Sequence, residues 1–305
     1  VALVMLVIVI FLLMAEHLAR RRQRFHAARS TQIKARPPRK PLLGLRGIAA
    51  TMLGLLPVLS GFGIPLAIFG RYALNRPHQL ADPHLAEALI TSLATALATA
   101  LVAVCAALLL LYAASLTRSR GMAVLTRFAA IGYALPGTIL ALGLLISLAR
   151  FDNFIDGLAR EYAGFSTGLL FTGSAVAEVL ACAIRFLALA EGAVQAGLST
   201  LPPNLDEAAR SLGRSAPASA ATVLLPLLKP AILTAGILVF VDTVKELSAT
   251  ILLRPFGFNT LATYVYENAS RGAVEDGAMA ALAIIVTAIM PVILLSGSLT
   301  RDREA

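Results

Sequence analysis

Asp242, Lys245 and Glu246 stand at i, i+3 and i+4 inside an apolar run, so on a helix they share one face within an arc of about 100°. At mid-depth in lipid each would cost roughly 2.5–3.5 kcal/mol, which directs all three to protein or water. Two readings follow. One is an Asp242–Lys245 pair that holds neighbouring spans together; the other is a pathway lining in which the two carboxylates attract a hard cation, whose preferred ligands are oxygens. A second set suits mechanics more than reaction. Asn204 is a good helix N-cap, Glu207 sits three residues on where it can bond back to the cap's amide, and Gly213 supplies the left-handed residue that stops the helix. Leu205, Ala208, Ala209 and Leu212 recur at i, i+3, i+4 and i+7, which predicts one narrow apolar face with Asp206 and Arg210 left wet. Leu201-Pro202-Pro203 predicts an extended entry to that helix. The plain alternative is a capped loop helix with no partner.

Other chemistries lack their residues. Gly164-Phe165-Ser166-Thr167-Gly168 has the form of a hydrolase nucleophile elbow, but that site needs a later histidine and none occurs after His84. There is no HExxH and no cysteine pair at metal-binding spacing; Cys105 and Cys182 read as small packing residues inside apolar runs. None of the four lysines, Lys34, Lys40, Lys229 and Lys245, follows a glycine, so the chain has no phosphate-cradling P-loop. Pro136-Gly137 interrupts an apolar run, where it either lines a cavity or simply starts a span. Arg254 to Gly277, with Phe256, Phe258, Tyr264 and Tyr266, is too polar to cross lipid and reads as an outer gate, a receptor contact or a solvated loop helix.

The elements that must position these residues are membrane spans. Hydrophobic residues make up 58% of the chain and charged ones 14%, and mean hydropathy is +0.81, outside the balance of a water-soluble domain. Apolar runs long enough to cross about 30 Å of hydrocarbon fall near 45–74, 88–116, 124–149, 169–190, 232–253 and 278–299. An all-α polytopic membrane protein is therefore expected, with a six-span unit over 45–305 whose core lies at about 86–299. A further run, 1–15, has no basic n-region or cleavage site ahead of a basic stretch. It is expected to be the last helix of an upstream half ending near His17, so that 1–44 is that helix plus a linker.

Ten Lys or Arg and no acid lie between Arg20 and Arg46, which predicts a cytoplasmic linker. Counting spans from there puts 75–87, 150–168 and 254–277 outside, and 191–231 and the C-terminus inside. The formal charge of +9 is then an orientation and lipid-headgroup signal, and nucleic acid is not an expected partner because the basic run carries little aromatic interleaving.

Nine residues separate Gly213 from Val223, and Leu225-Pro226 follows. With Glu207, Ala208, Ala209 and Gly213 this resembles the EAA loop, E-A-A-x3-G-x9-I-x-L-P, of permease subunits in binding-protein-dependent ABC importers, with Val223 in place of the usual Ile. Tyr133 to Thr138, Ala190 to Asn204 and Phe240 to Phe256 resemble the ferric-iron type, whose two six-span halves are often fused. The resemblance implies an ABC type-1 permease fold and a cytoplasmic coupling helix docked into an ABC ATPase subunit. It also implies a second permease half, an external solute-binding protein, and ATP and Mg on the partner, with no cofactor in this chain. The implied cargo is ferric iron; thiamine, polyamine and phosphonate importers have similar permeases. The implied place is the bacterial inner membrane. An intramembrane enzyme and a passive channel are the rival classes.

Overall fold

The computed structural model describes Met14, 44–117, 120–202 and 205–301. Apart from Met14, the expected run 1–15 and the basic segment to 43 lie outside these residues, as does Asn204. Every regular element among the described residues is helical. The chain divides at Arg76 into two compact units. The first contains α1 (Leu45–Asn75), long and apolar enough to cross a membrane. It holds Pro57 and a widened π turn at Leu59–Gly63, the usual response to an interrupted helical bond pattern.

The second unit begins at Pro77 and contains α2 (Pro83–Thr117), α3 (Arg120–Ala134), α4 (Gly137–Ala163), α5 (Ala175–Thr200), α6 (Leu205–Ser211), α7 (Ala216–Val244), α8 (Thr250–Leu253), α9 (Leu261–Ser270) and α10 (Ala278–Arg301). Helix α5 is central and packs against α2, α3 and α7. The seam is built largely from small residues: Ala100, Ala103 and Ala107 of α2 meet Cys182, Ala183 and Ala190 of α5 and Ala235 of α7. Lipid tails are as apolar as leucine, so helices in a membrane gain by close backbone approach, and alanine permits it.

Three expected spans differ from the observed helices. The run 124–149 is two helices, because Pro136 has no N–H to donate and disfavours helix at Leu135; it becomes the N-cap of α4, with φ −57° and ψ 130°. Helix α4 then continues through the expected outside stretch to Ala163, where Gly164 ends it at φ 72°. Asp152 and Asp156 explain the extension, since both turn back to hold the following loop. Asp152 is fully buried and accepts from the backbone N–H groups of Phe171 and Thr172 at 3.0 and 2.9 Å and from the Thr172 hydroxyl at 2.7 Å. Asp156 accepts from Ser166 Oγ and Thr167 N at 2.7 Å each. The serine of the elbow-like pattern is thus a loop strap. Helix α5 starts later than the expected 169, after the Ser174 cap, and runs on to Thr200; Leu201 is extended ahead of Pro202, as expected.

The run 232–253 is interrupted. Helix α7 starts at Ala216, passes a π turn at Ala220–Leu224, and stops at Val244. Lys245 and Glu246 therefore lie beyond the helix and not on one face of it with Asp242. Four residues beyond the break, 250–253, form the single turn of α8.

Candidate functional site

The EAA segment folds as a stopped hairpin. Gly213 has φ 87°, its N–H donates to Arg210 O at 3.0 Å, and Arg214 N–H donates to Ala209 O at 3.3 Å. That pair of bonds is the Schellman arrangement, which closes the orphan carbonyls at a helix end and needs a residue comfortable in the left-handed region. Leu225 and Pro226 follow on the exposed first turns after the π turn.

The expected apolar face of α6 is split. Leu205 is half-buried and Ala209 is buried, 7% exposed, while Ala208 and Leu212 point outward with Glu207, Leu212 being 85% exposed. Asp206, expected wet, is half-buried. The cause is a cavity of about 820 Å³ beneath α6, lined by Leu108 and Tyr112 of α2, Leu198 of α5, Asp206 and Arg210 of α6, and Leu224 of α7. Asp206 Oδ2 lies 4.0 Å from Arg210, and its Oδ1 and the Tyr112 hydroxyl are buried without a hydrogen-bond partner. Helix α6 therefore meets the bundle through Leu205 and Ala209 and leaves Glu207, Ala208 and Leu212 exposed, with Glu207 also bordering the cavity.

The charges at the end of α7 part company. Lys245 Nζ meets Asp242 Oδ1 at 2.6 Å, with the lysine 60% exposed, so this pair stays within one helix end and ties no spans together. Glu246 is buried. Its Oε2 accepts from Arg185 Nη1 of α5 at 2.6 Å, and its Oε1 accepts from Ser248 Oγ at 2.5 Å and Ala249 N at 3.0 Å. Arg185 Nη1 also donates to Ser248 Oγ at 3.1 Å. Glu246 thus satisfies backbone at the helix break while a guanidinium from another helix compensates its charge, as a buried carboxylate requires.

Gly137 belongs to the same knot. A Cβ there would collide with Ser248 Oγ and Arg185 Nη1 and sit 3.2 Å from Glu246 Oε1, so glycine at the start of α4 lets the knot close without displacing its side chains. Pro136-Gly137 and Glu246, separate candidates in the sequence, come together; Asp242 and Lys245 stand apart. Each of the two carboxylates has a cationic partner, Lys245 for Asp242 and Arg185 for Glu246. Among the described residues no group of three or more His, Cys, Asp or Glu is placed to hold a metal.

Sequence reasoning missed Arg185, Ser248 and Glu178. Glu178 is 1% exposed, two turns before Arg185 on α5, and its Oε2 has no hydrogen-bond partner. A lone Arg and Glu within an apolar run were the available signal, since an intramembrane charge is functional by default.

The stretch 254–277 forms α9, whose Thr260 and Thr263 make a reciprocal cap. It is fastened to the start of α2: the Tyr264 hydroxyl donates to Asp82 Oδ2 at 2.9 Å and Gln79 Nε2 to Asp276 Oδ1 at 3.0 Å. Burial, then the Asp82 carboxylate, pushes the Tyr264 phenol up to about 12. The loops 75–87 and 254–277, which span counting assigns to one side, therefore touch. Phe256 is fully exposed beside them.

Residues 111–301, more than half of the chain, match the family described as binding-protein-dependent transport system inner membrane component. The chain belongs to that family. The Fe(3+)-transport system permease protein FbpB 2 of Haemophilus influenzae is 28% identical over 163 residues, 53% of this chain and 29% of that protein. The molybdenum transport system permease protein ModB of the same organism is 29% identical over 131 residues, 43% of this chain and 55% of that one. The chain spans under a third of the length of the ferric relative. In solved structures, a chain of a bacterial alginate ABC transporter, in complex with an alginate pentasaccharide-bound periplasmic protein, superposes with a TM-score of 0.62 at 15% identity. That match covers 84% of this chain and 93% of that one, a likeness of fold. As a member of this family the chain is an all-α, multi-pass inner-membrane permease component.

Proposed function

We propose that this chain is one half of an ATP-driven importer permease, which alternates access for a solute delivered by an external binding protein. The observation that carries it is the α6 hairpin in a chain of this family. One edge of α6 is seated on the bundle through Leu205 and Ala209, and Glu207, Ala208 and Leu212 along its other side are exposed. A separate ATPase subunit grips that exposed side from the cytoplasm and supplies ATP and Mg; its closure moves α7, into which the hairpin leads. A second permease half, upstream in the same polypeptide, completes the pathway, and the C-terminus is cytoplasmic. Exposed Phe256 and the α9 segment meet the external binding protein.

Ferric iron is the cargo this reading favours, supported by the ferric relative. Thiamine, polyamine and phosphonate remain as alternatives, and the molybdenum relative adds an oxyanion. The paired Asp242 and Glu246 favour neither sign of charge. Co-purification with the cognate ATPase subunit tests the core of the proposal. A stable complex lost on Gly213→Pro or Glu207→Lys supports it, and association indifferent to both substitutions overturns it. Uptake of radioactive ferric iron against molybdate then decides the cargo.

A further inference from the structure

We propose that Arg185 is a positioning residue of the transport cycle that exchanges between two carboxylates, Glu246 in the state seen here and Glu178 in the alternate state, locking and releasing the break between α7 and α8. The proposal rests on the transport reading above and adds a residue and a two-state element to it.

In the present state the lock draws on three separated segments. Arg185 of α5 holds Glu246 and Ser248 of the break, and Gly137 at the start of α4 closes over them where a side chain would not fit. Non-helical backbone at membrane depth persists only where it is packed in protein or lines a cavity, so the 245–249 break depends on this packing. A buried ion pair adds little net stability over a well-packed apolar replacement and is better explained as a registry or switch device. The knot also leaves its partners incompletely satisfied: Arg185 Nε is buried with no hydrogen-bond partner, unlike a staple optimised for one state.

The second acceptor is in reach. Glu178 lies seven residues, about 10 Å along the helix, N-terminal to Arg185 on the same face of α5. Long side chains on a helix lean toward its N-terminus, so the Arg185 guanidinium leads toward the turn of Glu178, and Glu178 lies close enough to Glu246 for the two carboxylates to act on each other. Glu178 Oε2 is buried with no hydrogen-bond partner, while its carboxyl hydrogen-bonds Thr250, the first residue of α8, and feels the charges of Arg254 and Glu246. Moving Arg185 from Glu246 to Glu178 releases the break and transfers the charge pair to the helix just beyond it. Interior packing has discrete arrangements, which makes such an exchange a step between states.

The test uses the full chain assembled with its ATPase subunits in proteoliposomes, with uptake of receptor-delivered radioactive ferric iron and ATP hydrolysis measured on the same vesicles. Glu178→Gln is the decisive variant, because the glutamine carbonyl still accepts from Thr250 and only the charge that Arg185 would meet is removed. The expected result is assembly as in wild type, uptake lowered at least fivefold, and ATP hydrolysis that no longer responds to the receptor. Wild-type uptake per ATP in Glu178→Gln overturns the exchange. Should that variant fail to assemble, Arg185→Lys decides, since a shorter point charge keeps one partner without bridging to the second. Fivefold lower uptake per ATP supports the exchange, and a wild-type ratio overturns it. A wild-type complex whose ATP hydrolysis ignores the receptor and which moves no solute defeats the transport reading instead, a distinct outcome.

Discussion

The α6 hairpin and the Arg185–Glu246 knot solve different problems, and the contrast shows where each kind of function is written. The hairpin is local: its stop depends on Gly213 and on bonds spanning three and five residues, and it keeps its key side chains exposed. The knot is non-local, joining residues 137, 185, 246 and 248 from three segments around buried charge. A surface used for docking is expected to tolerate change in stability terms while failing in partnership. A buried polar knot is expected to fail first in stability and in the moving parts.

The largest effect expected is at the knot. Arg185→Ala leaves Glu246 buried without its cation, and breaking a buried pair by deleting one partner costs roughly 3–5 kcal/mol. Thermal unfolding of the purified chain in detergent should drop steeply, whereas Gly213→Val, which forces a β-branched residue to φ 87°, is expected to cost about 1–3 kcal/mol and to abolish ATPase co-purification. If Gly213→Val melts lower than Arg185→Ala, the division between a stability-bearing knot and a partnership-bearing hairpin is wrong.

The next comparison lies within the charged triplet. Glu246→Gln loses the ion pair with Arg185 and weakens the acceptor for Ser248 and Ala249, so uptake should fall about tenfold or more, the scale of a charge-assisted bond worth roughly 1.5–3 kcal/mol. Asp242→Asn breaks only an exposed pair with Lys245 and should stay within about twofold of wild type, as expected for a surface ion pair. Equal losses in the two variants would favour the pathway lining over the Asp242–Lys245 pair, the two readings the sequence left open.

How much of this was legible follows the same division. The entry at Leu201-Pro202, the stop at Gly213 and the break at Pro136 are each written in one or two residues whose backbone options are narrow, and the structure has them at those positions. Which edge of α6 is buried was not legible: periodicity grouped Leu205, Ala208, Ala209 and Leu212, but the bundle meets only Leu205 and Ala209, because α6 crosses over a cavity. The end of α7 misled for a related reason. The apolar run continues to Leu253, yet Glu246 and Ser248 bond to the local backbone and to Arg185 and stop the helix at Val244, a competition between side chain and ladder that composition does not reveal. The end of α4 was hidden in the same way, since Asp152 and Asp156 lie past the apolar run that ends at 149 yet are helix residues strapping the following loop.

The smallest effect expected is Lys245→Gln, and it separates the two regions most finely. Lys245 is 60% exposed and pairs with Asp242 one turn away, so its loss should change unfolding by under about 1 kcal/mol. It contacts neither the hairpin nor the knot in any bond described above, so ATPase co-purification and uptake should both remain near wild type. A strong uptake defect with an unchanged melting temperature would mean that the exposed ammonium meets the solute. The pathway would then run past the outer side of the α7 end, and the knot would be a support behind it.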